Sequence, residues 1–483
     1  MRTDTVISSV YTFLGLIHLP RGRKKPETND LARSYMMVTE QSRFIASDNN
    51  GNRNSILRIL TVVLFLAFSV LVVGRDVAGL PVSKYIFIVI GAIICFICDK
   101  TELLCFVAFI APLHEGVSGV YISGFALIAF FIKNKQIRRF NRSHLLIFVL
   151  LAMELIVGLH YDFSFVEYVR FAVCFILLFT VSLDTGLEVD AVRVLRFYIS
   201  GFIIALISVW GQLLRVYSFP QVLSMGARLG NLVESSGAEE GVRVSFNNND
   251  LGFVSMLAVL FCLMLLKKTG KKLYFIPFAL SAITSVMTMS RGANIALAIG
   301  LILYFLLSAE NLKKTARNII LLVLLSVLLI QIIWWLMPNY ISSFSERFME
   351  EDISNGRVDI ASFYFRALWN NPLGLIFGVG LQKYNAKYDY FYSAHNATQE
   401  IVIAWGVLGF LVIVALFARA ITITKRNNPK FRLFQAVPLI TLFIGLQSGQ
   451  GFSGYAHMQY LLVCFMAFYL EFDNGGIKKK KHD

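Results

Sequence analysis

Charge is scarce in this chain. Only 16% of its 483 residues are Asp, Glu, Lys or Arg, against about 25% in ordinary soluble domains, too few to dress a normal water-exposed surface. Cysteine is also rare, at 6, and Cys95, Cys98, Cys105, Cys174, Cys262 and Cys464 all fall inside apolar runs, so no disulfide framework is implied. Cys95-x-x-Cys98 has redox or metal spacing, yet no second Cys pair or His stands near it, and the pair reads as small buried hydrophobes. Gly374, Gly378 and Gly380 resemble a phosphate loop only superficially, since no strand pattern precedes them, and they read as turns. The apolar stretch 5–19 is followed by Arg21, Arg23, Lys24 and Lys25 rather than a small-residue cleavage site, so no cleavable signal peptide is expected. That stretch reads as an interfacial segment in a basic tail, 1–55.

What the chain does have is apolar length: 57% of residues are hydrophobic and the mean hydropathy is +0.65. Residues 59–73, 86–98, 319–337 and 401–418 are uncharged runs, most of them near the roughly 20 helical residues that cross a bilayer core. In lipid the backbone must satisfy its own hydrogen bonds, so these runs are helices. Blocks and breaks predict an all-α, polytopic membrane protein of about fourteen spans, near 56–73, 82–98, 102–113, 119–132, 144–159, 169–182, 197–218, 250–266, 273–289, 292–307, 318–337, 397–418, 433–449 and 457–471. The third and fourth are short and could form one re-entrant pair. Residues 56–337 hold the first group of helices, 338–396 a long outer loop, 397–471 the last helices and 472–483 a basic tail.

Net charge is +15. With the amino terminus placed in the cytoplasm, most Lys and Arg fall in the segments of that side, as the positive-inside rule requires, and both termini are cytoplasmic. Topology therefore explains the basic balance, and nucleic-acid binding is not expected. The outer side then carries a loop at 219–249, a tight turn at Ser290–Arg291 and the loop at 338–396, which is too long for a plain helix connection. A helix is expected inside that loop near 357–370, closed by Asn371 and Pro372.

Three outer-side patterns could carry chemistry. Ser290-Arg291-Gly292-Ala293 joins two spans, and an arginine there either points into a wet cavity or snorkels to the headgroups. Asn355-Gly356-Arg357 puts a cation at a helix start, against the dipole, as a ligand-binding residue would be. His395-Asn396 precedes, by nine residues, Gly406-x-x-Gly409. At about 100° per residue the histidine and both glycines fall near one helix face, so the glycines would leave a groove for a neighbouring helix or a lipid chain. A histidine at a positive helix end stays neutral and can act as a general base, or it can be an interfacial hydrogen-bonding residue above a packing glycine pair. Arg243 is a candidate for lining an entrance and Glu400 for orienting substrate. Glu154, inside a span, would be costly without a partner, and the sequence shows none.

In this order, together with Asn371-Pro372-Leu373-Gly374 and Gly378-Val379-Gly380, these motifs resemble the O-antigen polymerase and O-antigen ligase superfamily of bacterial polysaccharide assembly, chiefly over residues 240–420. The resemblance implies a GT-C-like membrane glycosyltransferase of the bacterial inner membrane, working on the periplasmic side without metal, nucleotide sugar or other cofactor. Its donor would be an undecaprenyl-pyrophosphate-linked glycan in the membrane lipid, with a chain-length regulator protein as a further partner class. Arg291 and Arg357 would hold the pyrophosphate and His395 would deprotonate an acceptor hydroxyl; Arg243, Asn396, Glu400, Gly406 and Gly409 would line the substrate. Polymerase is favoured over ligase on span count and loop size. A flippase of the same glycan is the reading from another class, and the paired repeats it commonly shows are not found.

Overall fold

The computed structural model describes residues 59–134, 142–160, 163–224, 247–309, 356–449 and 451–472, with isolated positions elsewhere. Contacts divide the chain into Met1–Leu60 and Thr61–Asp483. Nearly all of the first unit lies outside the described residues, as do the segment expected at 5–19, most of the span expected at 318–337, and Arg243.

Among the described residues the main helices are α1 Ile59–Ala78, α2 Lys84–Ile97, α3 Lys100–Ile110, α4 Gly119–Lys133, α5 Arg142–His160, α6 Phe165–Ser182, α7 Ala191–Val216, α8 Asn248–Thr269, α9 Phe275–Met287, α10 Arg291–Ser308, α11 Arg357–Trp369, α12 Pro372–Phe377, α13 Ala397–Asn427, α14 Val437–Leu446 and α15 Tyr455–Ala467, with short helices at Phe219–Ser224 and Tyr384–Lys387. The described residues contain no strand. Among them α1, α5, α6, α7, α8, α10 and α13 are long and apolar enough to cross a membrane, and α2, α4, Lys272–Met287 and Leu433–Leu446 are shorter apolar helices. This is an all-α polytopic membrane protein.

Helix ends follow local chemistry. A reciprocal capping box opens α3, with Glu102 N–H donating to Asp99 and Asp99 N–H to Glu102, so two otherwise unpaired donors are satisfied. Asn247 caps α8 by accepting from the N–H groups of Asn249 and Asp250, and left-handed Gly270 ends it. Helix α8 is buried on every side from Leu251 to Cys262 and packs against α7, α9, α10 and α14. Outward-facing Val62, Leu66 and Val70 on α1, and Phe148 and Ile156 on α5, remain exposed as apolar stripes suited to lipid. All six cysteines are buried and free, in line with the hydrophobe reading of Cys95 and Cys98.

The expected loop helix exists as α11, ending at Trp369, and Asn371 then caps α12 with Pro372 in its first turn. Gly378 (φ 79°) and Gly380 (φ 85°) are turn residues as expected, whereas Gly374 is a buried residue of α12. The turns bring extended backbone onto α13: Val379 N–H donates to Ile403 O at 2.9 Å and Gly380 N–H to Ala404 O at 2.8 Å. Glu154 of α5 completes the joint. Its carboxylate accepts the Leu381 N–H at 2.9 Å and the Trp405 Nε1–H at 2.7 Å. The missing partners are thus supplied by residues more than two hundred positions away in sequence.

Candidate functional site

Arg291 and His395 each sit where a left-handed residue hands the chain to a capped helix. Met289 (φ 47°) precedes Ser290, the cap of α10, and His395 (φ 49°) itself precedes Asn396, the cap of α13. Non-glycine residues rarely adopt this conformation, and it concentrates at functional sites. Ser290 Oγ accepts the Ala293 N–H and donates to Asn249 Oδ1 at 2.8 Å, so the start of α8 fixes the turn that presents Arg291.

The ends of α10, α13 and α14 converge. A β-carbon on Gly292 would collide with the Ser448 side chain, so α10 approaches the end of α14 at the residue after Arg291. The neighbouring Gln447 receives the α13 cap: Asn396 Nδ2 donates to Gln447 O at 3.1 Å, and Thr398 Oγ1 to Gln447 Oε1 at 2.9 Å. Gln399 Nε2 donates to Ala361 O at 2.9 Å, tying α13 to the helix that begins at Arg357. Contacts through Gly292 and Ser448, Asn396 and Gln447, and Gln399 and Ala361 thus link the starts of α10, α13 and α11 into one rim of helix ends. Gln447 and Ser448 were not singled out in the sequence; no motif marks them.

His395 is half-buried. Burial, and then the nearby Arg357 cation, hold its imidazole below the usual histidine value, so it is neutral near pH 7 and able to accept a proton. The neighbouring backbone is anchored by Ala394 N–H donating to Tyr384 Oη at 2.8 Å and Tyr364 Oη donating to Tyr392 O at 2.6 Å. An open groove of about 970 Å³ runs beside the rim, with Val358, Ser362, Phe365 and Arg366 of α11 on one wall and Gln399 and Val402 of α13 on the other.

Other expected site residues stand differently. Asn396 spends its side chain on the α13 cap, accepting from Gln399 N–H at 2.9 Å, and on Gln447. Glu400 is fully buried and accepts from Gly451 N–H (3.0 Å), Ser453 N–H (2.7 Å) and Ser453 Oγ (2.9 Å), so it holds the turn before α15. That turn continues the network, since His457 Nδ1 donates to Gly451 O at 3.1 Å while Nε2 lies 3.0 Å from Asp250 Oδ1.

Of the two occupants expected for the glycines of α13, a neighbouring helix is the one found, but the glycines do not continue one unbroken face from His395. Gly406 is non-helical (φ 66°, ψ −172°) and kinks α13, so the 100° progression from His395 stops there. Its missing side chain admits the Ile376–Phe377 backbone, and Gly378 reciprocally admits that of Ala404. Gly409 is buried beside Trp405 and Leu150. Protein, not lipid, fills the space these glycines leave.

No curated protein matches the chain. A family model described as O-antigen ligase matches residues 276–414, the segment that contains Arg291, Arg357, His395, the kink at Gly406 and the α11–α12 loop. Over residues 276–414 the chain is therefore similar to the O-antigen ligase family, in keeping with the resemblance of its motifs.

Proposed function

We propose that the protein is an inverting glycosyltransferase that polymerises undecaprenyl-pyrophosphate-linked repeat units of O-antigen or exopolysaccharide on the periplasmic face of the inner membrane. What supports this reading is His395 close to the Arg357 cation, the linked starts of α10, α11 and α13 and the open groove between α11 and α13 in a membrane protein. His395 takes the proton of an acceptor hydroxyl. The freed oxygen pair attacks the anomeric carbon from the face opposite the pyrophosphate, and the carbon–oxygen bond to phosphate breaks with its electron pair remaining on the leaving group. Arg291 and Arg357 receive that charge, since planar guanidinium groups bind phosphate oxygens in pairs and stabilise charge as it develops. No metal is needed in this scheme. Arg243 would add a further cation at the entrance, and a chain-length regulator would act as a separate partner.

Transfer to lipid A-core is the second reading, favoured by the description of the matched family as O-antigen ligase. Deletion of the gene, followed by complementation with wild type, His395→Ala or Arg291→Ala, separates the two. Loss of polymer with single repeats left on lipid A-core identifies a polymerase. Accumulation of polymer on the lipid carrier identifies a ligase. Wild-type glycan from either variant removes the catalytic assignment.

A further inference from the structure

Helix α11 has three faces, and one of them, which borders the open groove, is exposed among the described residues. Ile360, Tyr364 and Leu368 are buried in a small core with Val379, Tyr384 and Ile403. About 120° round the helix, Asp359, Arg366 and Asn370 face solvent. The third face carries Val358, Phe365 and Trp369, within about 40° of one another, and they are 63%, 65% and 69% exposed. Phe365 and Trp369 stack at 6.1 Å, so the stripe is continuous. It extends onto α12 through Leu373, Ile376 and Phe377, of which Leu373 is 71% exposed. A stripe this long, flanked by charge on one side and protein on the other, is the pattern of a helix lying in a membrane interface, and the end-on Trp is typical of that depth.

The fold also sets the depth of α12. Gly406 receives the Ile376–Phe377 backbone, and it lies ten residues below Asn396 on α13, about 15 Å along the helix. Helix α13 is a membrane-crossing candidate, so α12 is clamped beside an apolar stretch of that span, and its exposed side is continuous with the span's lipid-facing surface. The irregular backbone that follows, at 378–381, is satisfied by Ile403, Ala404 and Glu154, as non-helical chain at membrane depth must be.

We infer that α11 and α12 are not a water-exposed lobe: they lie sideways in the outer leaflet, with Val358, Phe365, Trp369, Leu373, Ile376 and Phe377 in contact with fluid acyl chains and Asp359, Arg366 and Asn370 at the headgroups. This surface stands independently of the catalytic assignment. If that assignment holds, a lipid-linked donor reaches Arg357, next to Val358, without leaving the bilayer.

Site-directed spin labelling of the full-length protein in lipid nanodiscs tests the inference. The six native cysteines are buried, so label attaches at introduced positions: Trp369→Cys and Leu373→Cys on the apolar stripe, Asp359→Cys and Asn370→Cys on the wet face. The expected result is several-fold greater collision with oxygen than with a water-soluble nickel complex at 369 and 373, and the reverse at 359 and 370. Equal nickel access at all four positions makes the loop a water-exposed lobe and overturns the inference. Shielding of 369 and 373 from both reagents also overturns it, because protein then covers the stripe. Two positions on each face keep the comparison alive if one variant does not fold. Glycan synthesis in the labelled variants is scored separately, so failure of the enzymatic reading leaves the depth measurement intact.

Discussion

Trp405 of α13 donates its indole N–H to the Glu154 carboxylate of α5 at 2.7 Å, while the same carboxylate accepts the Leu381 N–H at 2.9 Å. One acidic side chain inside a span thus pins two structures at once: the kinked helix that carries His395 at its mouth and the loop that carries Arg357. Replacing it with alanine leaves two buried donors unmatched, at about 1–3 kcal/mol each. Glu154→Ala should lower the melting temperature of the purified protein in detergent and speed proteolysis between 372 and 390. Glu154→Gln, which keeps one accepting oxygen, should fall between it and wild type. Equal melting temperatures for wild type and Glu154→Ala would show that the joint does not stabilise the loop.

Gly406 allows a narrower test. Its φ of 66° suits glycine, and a β-carbon there would meet the Ile376 carbonyl oxygen. Gly406→Ala therefore incurs backbone strain and a steric clash at the point where α12 docks. Expression should drop sharply, and whatever accumulates should lose its compact peak in size-exclusion chromatography. Gly356→Ala shares the positive φ (73°) but has open space around it, so it should be the milder change. A Gly406→Ala protein as stable as Gly356→Ala would mean that the clash relaxes without cost.

How much of this was legible beforehand depends on range. Uncharged runs, caps and breakers act locally, and the spans expected at 82–98, 250–266 and 292–307 became α2, α8 and α10 with ends displaced by a few residues. The loop helix ending before Asn371-Pro372 was readable for the same reason. Glu154 shows the limit: its partners come from α13 and the loop after α12, and no periodicity within α5 points to them. The glycines show a different limit. The spacing from His395 to Gly406 assumes an unbroken helix, but the glycine that completes the pattern also breaks the helix. Gln447 lacks any motif, and its importance appears only once Asn396 and Thr398 are seen to converge on it.

The pairing of His395 with Arg357 makes a pH prediction. Burial and the guanidinium both disfavour the imidazolium form, which places the histidine below its ordinary value of about 6.5. In the proposed mechanism the neutral form is the base, so turnover should persist as pH falls through the ordinary histidine range and collapse only below it. Arg357→Gln removes the cation; protonation becomes easier, and the acidic limb of its residual activity should move to higher pH. Arg357→Lys keeps the charge and should leave the limb near its wild-type position while lowering the rate. Initial rates measured from pH 4.5 to 8 on a lipid-linked donor would check this. An unmoved limb in Arg357→Gln would separate the two residues electrostatically.

Asn396 has two tasks that can be uncoupled. Its Oδ1 caps α13 through the Gln399 N–H, and its Nδ2 donates to the Gln447 carbonyl, next to the Ser448 that packs on Gly292 beside Arg291. Asn396→Ala loses both, and a lost cap costs about 0.5–2 kcal/mol, so melting temperature and activity should fall together. Asn396→Asp keeps the cap, because a carboxylate accepts well at a helix amino terminus, but it cannot donate to Gln447 and sets an anion against a carbonyl oxygen. Its melting temperature should stay near wild type while kcat falls about tenfold or more with little change in KM, since the loss would be in the alignment of His395 with Arg291 rather than in donor affinity. Wild-type kcat in Asn396→Asp would show that the Gln447 tether does not set the geometry of the rim; a rise in KM alone would make Asn396 a substrate-binding residue.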